Sequence, residues 1–238
     1  HPVTPTEVNA ALKLPKPTIH RLFATLEAEG YLQRELDGRA YTAGRRLRRL
    51  STGVLSSTRI RTARLAVLKG LSETIGETCN VTVPDRDAMI YLDRVETKWP
   101  LRIQLPIGTQ VPFTCTASGK LYLSSLTDAH LRTLLAAAPL ERRTPNTIVD
   151  RGALLEELRM TRERGYAEDR EEFMDGMIAI AVPIVESHGR LLSTLSVHAP
   201  TQRLPLDAAL THLDALRAAA AQLSRLVRAD GEADFARR

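Results

Sequence analysis

Between Pro17 and Gly30 the chain encodes a short amphipathic helix with both ends marked. Proline is favoured in a first helical turn, where its missing N–H would be unpaired anyway. Ile19, Leu22, Phe23 and Leu26 follow at i, i+3, i+4 and i+7, so all four are expected on one buried face. At about 100° per residue the opposite face carries Pro17, Arg21, Ala24 and Ala28, with Thr18, His20 and Thr25 beside it. Gly30 supplies the residue that ends such a helix. Upstream, Val8, Ala11 and Leu12 give a preceding helix its apolar side, Thr6 or Thr4 stands where a cap belongs, and Glu7 lies in the first turn. Downstream, residues 31–43 alternate and turn at Asp37-Gly38, a strong hairpin signal. Together these read as a helix-turn-helix with a wing. A short helix whose outer face is small, polar and basic suits a DNA major groove. Winged domains of this kind carry one more helix before the pair. Since the chain starts His-Pro and not Met, that helix is expected to precede residue 1 and to be missing.

An ordinary helical hairpin beside a β-hairpin has the same spacing, and charge separates the two readings. Residues 1–70 hold 13 Lys and Arg against 5 Asp and Glu, whereas residues 71–238 hold 20 against 23. Between Asp37 and Glu73 there is no acidic residue, while Arg39, Arg45, Arg46, Arg48, Arg49, Arg59, Arg61, Arg64 and Lys69 all fall in that gap. A basic end on a near-neutral body is the electrostatic footprint of a nucleic-acid binder. Two cysteines, Cys79 and Cys115, form neither a disulfide framework nor a metal motif, which points to a reducing compartment, the cytoplasm. No apolar run approaches a membrane span, and no secretory signal is visible.

Residues 44–58 read as a basic linker helix with Leu47, Leu50 and Leu55 as its apolar positions. A second helix follows, with Ile60, Leu65, Leu68, Leu71 and Ile75 as its stripe and Gly76 as its stop. From Cys79 onward "CNVTVPD" and "AMIYLDRVET" are β-rich, and residues 101–113 are extended but broken by Pro106 and Pro112. Three helices are expected next: one capped by Thr114 or Thr116, one by Thr127 and one by Asp150 that ends at Gly165. A strand, an acidic loop and the apolar run Met177–Val185 come after, the last expected to be covered on both sides, followed by another strand. A single final helix is expected over 206–228, with a frayed tail. The fold class is therefore α+β, in three parts: a winged helix-turn-helix over 1–43, the linker helix over 44–58, and an effector-binding and oligomerisation domain over 59–238 with an antiparallel sheet flanked by helices.

In order and spacing, "LPKPTIHRLFATLEAEGYL", the basic linker, "VPFTCTASGKLYL", "RGYAEDREEFMDGMIAIAVPI" and "GRLLSTLSVHAPTQRL" resemble the IclR-type bacterial transcription regulators. The resemblance covers nearly the whole chain and is most specific over Gly165–Arg203. It implies a GAF-like or profilin-like C-terminal sheet, homodimers that in the family often pair into tetramers, binding to double-stranded promoter DNA, and control by a small effector such as an organic or aromatic acid. No cofactor or metal is implied.

For DNA, the candidate residues are Lys16, Thr18, His20 and Arg21 on the recognition helix, with Arg39 at the wing and Arg45 on the linker. Arg21 suits bidentate reading of guanine, and Lys16 and Thr18 suit phosphates. His20 also fits plain packing against the neighbouring helix. For the effector, carrying the family pocket over by position gives Ile103, Val111, Ala117 and Ser118 on one side and Asp169, Met177 and Ala179 on the other. Free N–H groups at the helix start near Ala117 can take a carboxylate, and Thr116, Cys115 and Ser118 can add hydrogen bonds. Alanine at 179 departs from relatives with a polar or thiol side chain there. Two plainer readings stand beside these, in which Thr116–Ser118 form only a helix cap and Asp169 belongs to a solvated acidic cluster over 168–172. His188 and His198 carry no metal-ligand spacing. The competing functions are a hydrolase or acyl-transfer enzyme using Cys115 or Ser118, and a DNA-binding protein that takes no ligand.

Overall fold

The computed structural model describes residues 2–35, 38–48, 58–100, 105–137 and 140–235. The chain forms two compact units, residues 1–59 and 60–238.

In the first unit, α1 (Pro5–Leu12) and α2 (Lys16–Ala28) are followed by the hairpin strands β1 (Leu32–Arg34) and β2 (Tyr41–Ala43). Thr4, not Thr6, caps α1: its hydroxyl accepts from the Glu7 N–H at 3.2 Å, and Glu7 reaches back to the Thr4 N–H at 2.6 Å. The turn between the helices is clasped by Asn9, whose amide donates to Leu14 O and accepts from Leu14 N, both at 2.9 Å. Val3 pairs with Tyr41 and adds a further extended segment beside β2. Ile19, Phe23 and Tyr41 form the small core, with the Phe23 and Tyr41 rings edge-on at 5.0 Å. Leu22 and Leu26 depart from expectation, at 43% and 39% exposed. Their spacing puts them on the apolar side of α2, but Tyr41, Val8, Leu14 and Leu32 pack only around Ile19 and Phe23. A helical turn at residues 45–48 begins where the linker helix is expected; the rest of that stretch lies outside the described residues, as does Asp37 in the expected turn.

The second unit opens with α3 (Thr58–Ile75) and the strands β3 (Thr78–Asp85), β4 (Ala88–Val95) and β5 (Gln110–Pro112). Helices α4 (Ala117–Ser125), α5 (Asp128–Ala137) and α6 (Arg151–Arg164) follow, then β6 (Ala167–Arg170), β7 (Met177–Val185) and β8 (Leu191–Pro200), and last α7 (Leu206–Leu210) and α8 (Leu213–Phe235). The six strands make one antiparallel sheet in the order β5-β4-β3-β8-β7-β6. On one face Val81, Ile180, Leu195 and Val197 pack against Leu68 of α3 and Leu216 and Leu223 of α8. Each such buried side chain contributes about 1.5–3 kcal/mol. Two arginines of α3 grip that face: Arg64 Nε lies 2.6 Å from the fully buried Asp93 on β4, and Arg61 Nε lies 3.2 Å away. On the other face α4 covers Ala167, Ala179 and Ala181, while Met89, Tyr91, Val111 and Phe113 pack under α4, α5 and α6. Both sides of β7 are therefore covered.

The last helix differs from expectation. It breaks at Thr211 and His212, and its second part runs to Phe235. Pro205 starts α7, and the Thr211 hydroxyl turns back to Ala208 O at 2.7 Å, which competes with the helical ladder. The edge of the sheet at β7 is also built with care. Strand β6 pairs only with Ile178–Ala181. Beyond it, Pro183 has no N–H to offer and the Val185 N–H is taken by Ser224 Oγ at 3.1 Å. An open cleft of about 430 Å³ lies beside this stretch, lined by Val182, Pro183, Val185, Ala221, Arg217 and Arg225. None of the candidate effector residues lines it.

Candidate functional site

The expected DNA-contacting residues sit at the start of α2 and around the wing. Pro15 precedes α2 and gives no side-chain cap; Pro17 has no N–H and the Thr18 N–H donates to Pro15 O at 2.9 Å, so in this first turn only the Lys16 N–H has no partner among the described residues. Lys16, His20 and Arg21 are exposed and Thr18 is half-buried. The basic residues of this unit fall into two sets. Arg34 is spent on the fold: it pairs with Glu27 of α2 at 3.1 Å, donates to Gly38 O and lies over the Tyr41 ring. Arg46 pairs with Glu29 at 2.7 Å and lies over Tyr31. In contrast, the side chains of Lys16, Arg21 and Arg45 make no hydrogen bond or ion pair among the described residues. Arg39 is exposed at the wing.

Of the expected effector residues, Ala117 and Ala179 share one buried cluster and Asp169 stands beside Ala179 in register, while Ser118 is buried on α4 next to Ala117. Ala117 of α4 belongs to one buried cluster with Leu121, Ala167, Ala179 and Ala181. Ala179 stands opposite Asp169 on β6 and opposite His198 on β8, so these three make one row across the sheet. Thr116 caps α4: its hydroxyl accepts from the Gly119 N–H at 3.1 Å and donates to Pro112 O at 2.6 Å. The N–H groups of Ala117 and Ser118 are then left without a partner among the described residues. Met177 is half-buried at the end of β7. Val111 belongs to the separate cluster under α5 and α6, with Met89 and Phe113. Ile103 lies outside the described residues.

The acidic stretch is not solvated. Glu168, Asp169 and Glu172 are all buried, Asp169 at 4% exposed. Asp169 Oδ1 accepts the N–H groups of Glu172 at 2.8 Å and Phe173 at 3.3 Å. The hydroxyls of Thr144 and Thr147 donate to Glu171 O and Glu172 O and hold the loop down. Glu172 pairs with the buried Lys120 of α4, whose ammonium also lies 3.6 Å from Glu157 of α6. Burial, then the neighbouring Glu172 charge, pushes the Asp169 carboxyl up to about 7. Burial, then the charge of Asp169, pushes the Cys115 thiol up to about 12.

Sequence reasoning passed over His198 and Ser196. His198 is buried on the central strand, with Nε2 3.2 Å from Ser196 Oγ and its ring edge-on to Tyr91 at 6.2 Å. Its Nδ1 has no partner among the described residues. Burial, then the charge of Arg94, pushes it down to about 3, so it is a neutral hydrogen-bonding group. The signal was present: Thr194, Ser196 and His198 form a polar stripe at period two on a strand covered on both sides. Next to it Asn80 accepts from Arg94 Nη1 at 2.8 Å, and its Nδ2 has no partner among the described residues. Among the described residues no group of His, Cys, Asp or Glu could hold a metal ion, and no helix is long and apolar enough to cross a membrane.

Two family models match the chain. One described as "Bacterial transcriptional regulator IclR C-terminal" matches residues 52–225, and one described as "IclR helix-turn-helix domain" matches residues 1–36. A probable transcriptional regulator, SauR of Cupriavidus necator, is 39% identical over 93% of this chain and 88% of its own length. The crystal structure of the Thermotoga maritima IclR is 27% identical, with a TM-score of 0.67 over 94% of this chain and 91% of that one. The inducer-binding domain of the PobR transcription factor from Acinetobacter, a double mutant in complex with 3-hydroxybenzoic acid, is 28% identical. Its TM-score is 0.62 over 67% of this chain and 95% of that one.

Proposed function

This chain belongs to the IclR family of bacterial transcriptional regulators, and from that premise we propose how it reads promoter DNA and senses a small acid. It acts in the cytoplasm as a homodimer, or as a dimer of dimers, which sets two recognition helices on one operator. Helix α2 enters the major groove, Arg21 reads a base edge, Lys16, Thr18 and His20 flank it, and Arg39 and Arg45 hold the phosphate backbone. The observation that carries this assignment is the uncommitted state of Lys16, Arg21 and Arg45 beside arginines that are locked into the fold. Arg21→Ala is expected to weaken operator binding by about tenfold to a hundredfold, the worth of one bidentate base contact. The check is a gel-shift titration on DNA selected by the wild-type protein from a random pool. Circular dichroism should show an unchanged melting curve, and unchanged DNA affinity would remove Arg21 from the reading set.

The effector site is the row Asp169–Ala179–His198 beneath Ala117 and Ser118. Small side chains on both sides suit a compact ligand, and the free N–H groups of α4 suit a carboxylate. The PobR inducer-binding domain was solved with 3-hydroxybenzoic acid, which favours an organic acid here. Effector binding would shift the protein between two arrangements with different operator affinity, which requires that the acid bind them unequally. In a thermal-shift screen of small aromatic and aliphatic acids on the whole chain, a ligand at 100 times its dissociation constant should stabilise by about 2.7 kcal/mol. Ser118→Val should abolish that shift; a shift that survives would place the ligand elsewhere. The acyl-transfer reading gains no support. Burial keeps the Cys115 thiol protonated, and His130 is exposed on α5 with its ring bonded to Thr127. The relatives are regulators.

A further inference from the structure

Neither the DNA surface nor the effector row uses the cleft of about 430 Å³ between the end of β7 and α8. That volume is in the range of small-molecule sites. Its walls are apolar, with Val182, Pro183 and Val185 on the strand side and Ala221 on the helix side. Arg217 and Arg225 also line it, and no Asp or Glu is among its lining residues. The two ends of the cleft differ. At the Gly165 end Arg217 is in use: Nη2 donates to Arg164 O at 3.3 Å, the guanidinium lies 6.0 Å from the centre of the Tyr166 ring, and Asp214 stands 3.9 Å away. At the Val185 end Ser224 is 5% exposed and accepts the Val185 N–H at 3.1 Å. The hydrogen of that hydroxyl meets no acceptor among the described residues. Arg225, next in the chain, is exposed and makes no hydrogen bond or ion pair among the described residues. Glu186, which follows Val185, is held by Arg190 at 2.8 and 3.1 Å. Between Arg217 and Arg225 the helix rises about 12 Å, which makes the cleft an elongated apolar trough with uncommitted donors at one end.

We propose that this cleft is a second ligand site, separate from the effector row, for an amphiphilic monocarboxylate. The carboxylate head sits at Arg225 and the Ser224 hydroxyl, and an unbranched alkyl tail lies along Val182, Pro183 and Ala221 toward Arg217. Charge and shape choose this class together. A guanidinium beside a hydroxyl offers N–H and O–H donors to carboxylate oxygens. The head alone gains little, because an exposed ion pair in water is worth less than about tenfold in affinity. The tail supplies the rest. Each fully buried methylene is worth about fourfold in affinity, and one lying in an open trough about twofold. A cationic head would meet two guanidiniums. A peptide strand is the wrong occupant, because Pro183 has no N–H to pair with it and Ser224 already holds that of Val185.

The test is titration calorimetry on the whole chain with octanoate, with acetate as the head without the tail, and with octyltrimethylammonium as the same tail with the opposite charge. Octanoate is expected to bind, acetate at least about tenfold more weakly, and the ammonium compound not at all. Arg225→Glu reverses the uncommitted charge and should weaken octanoate by at least about tenfold. Ala221→Gln lays a side chain in the path of the tail and should weaken it to a similar degree. Both positions are exposed on α8, so unchanged melting curves will show that each variant is folded. Every titration is repeated with Ser118→Val present, where one octanoate per chain should remain; this separates the cleft from a ligand held under α4. No octanoate binding in the Ser118→Val protein would overturn the inference. Binding there that survives both Arg225→Glu and Ala221→Gln would overturn it too, as would equal binding of octanoate and the octyl ammonium, which marks a merely apolar surface.

Discussion

Gly119→Ala will cost the second unit at least about 3 kcal/mol of stability, although by helix propensity it should help. Alanine in place of glycine inside a helix normally gains about 0.5–1 kcal/mol. At this position an added Cβ would lie 2.3 Å from Phe113 O, 2.4 Å from Phe113 Cα and 2.6 Å from Phe113 C. All three are backbone atoms and cannot swing aside. Phe113 is fixed from both directions, since its ring stacks on Tyr122 at 4.9 Å and the Thr116 hydroxyl holds Pro112 O. Helix α4 would have to lift off the sheet and open the cluster that Ala117 and Leu121 form with Ala167, Ala179 and Ala181. Gly70 in α3 is the control, because a Cβ there meets nothing within 4 Å. Gly70→Ala should therefore stabilise by about 0.5–1 kcal/mol. Urea unfolding of both variants decides the matter; a Gly119→Ala midpoint at or above the wild type would show that the close approach carries no weight.

The second large effect is at Lys120. This side chain is 1% exposed and neutralises Glu172 from inside the unit. Lys120→Met removes the ammonium and keeps the carbon stem, leaving the buried Glu172 without its cation while the half-buried Glu157 keeps Arg164. Breaking one side of a buried pair costs about 3–5 kcal/mol. The loss should depend on pH. Burial already raises the Glu172 carboxyl, and without Lys120 its folded-state value rises further. A group raised on folding is penalised only above its unfolded value, so the variant should stand close to the wild type near pH 4 and fall behind as pH climbs toward 8. Replacing both partners, Lys120→Met with Glu172→Met, should recover most of the loss, since an apolar pair of similar volume is often neutral. If the single variant has equal stability at pH 5 and pH 8, the pair does not carry the charge balance assigned to it.

Local chemistry was legible from the chain; coverage was not. The start of α2, its Ile19 and Phe23, the wing glycine, the Asp150 cap and the left-handed Gly165 all follow from rules that act within a few residues. Leu22 and Leu26 show the limit of the method. Periodicity says which side of a helix is apolar, but only distant residues decide whether anything covers it. The acidic stretch shows the same limit in reverse. Its composition allows a solvated loop, and only Lys120, Thr144 and Thr147, far away in sequence, make it a buried wall. His198 was passed over for a related reason. A histidine without metal spacing carries little information, whereas its register opposite Ala179, one strand from Asp169, carries a great deal. The Asn9 clasp and the Val3 pairing exist only once the helices have already met.

The proline and serine at the end of β7 bear on how copies of this protein meet. A sheet edge that offers N–H groups is a template onto which any passing strand can zip, and such pairing is hard to undo once it has spread. Where β6 stops short, Pro183 has no hydrogen to give and Ser224 already holds that of Val185. Collisions along this margin find no ladder to extend. Encounters are left to side-chain surfaces, whose strength scales with salt, pH and single substitutions and whose release is quick. Reversibility is then written partly into two residues, Pro183 and Ser224, at the margin of the sheet.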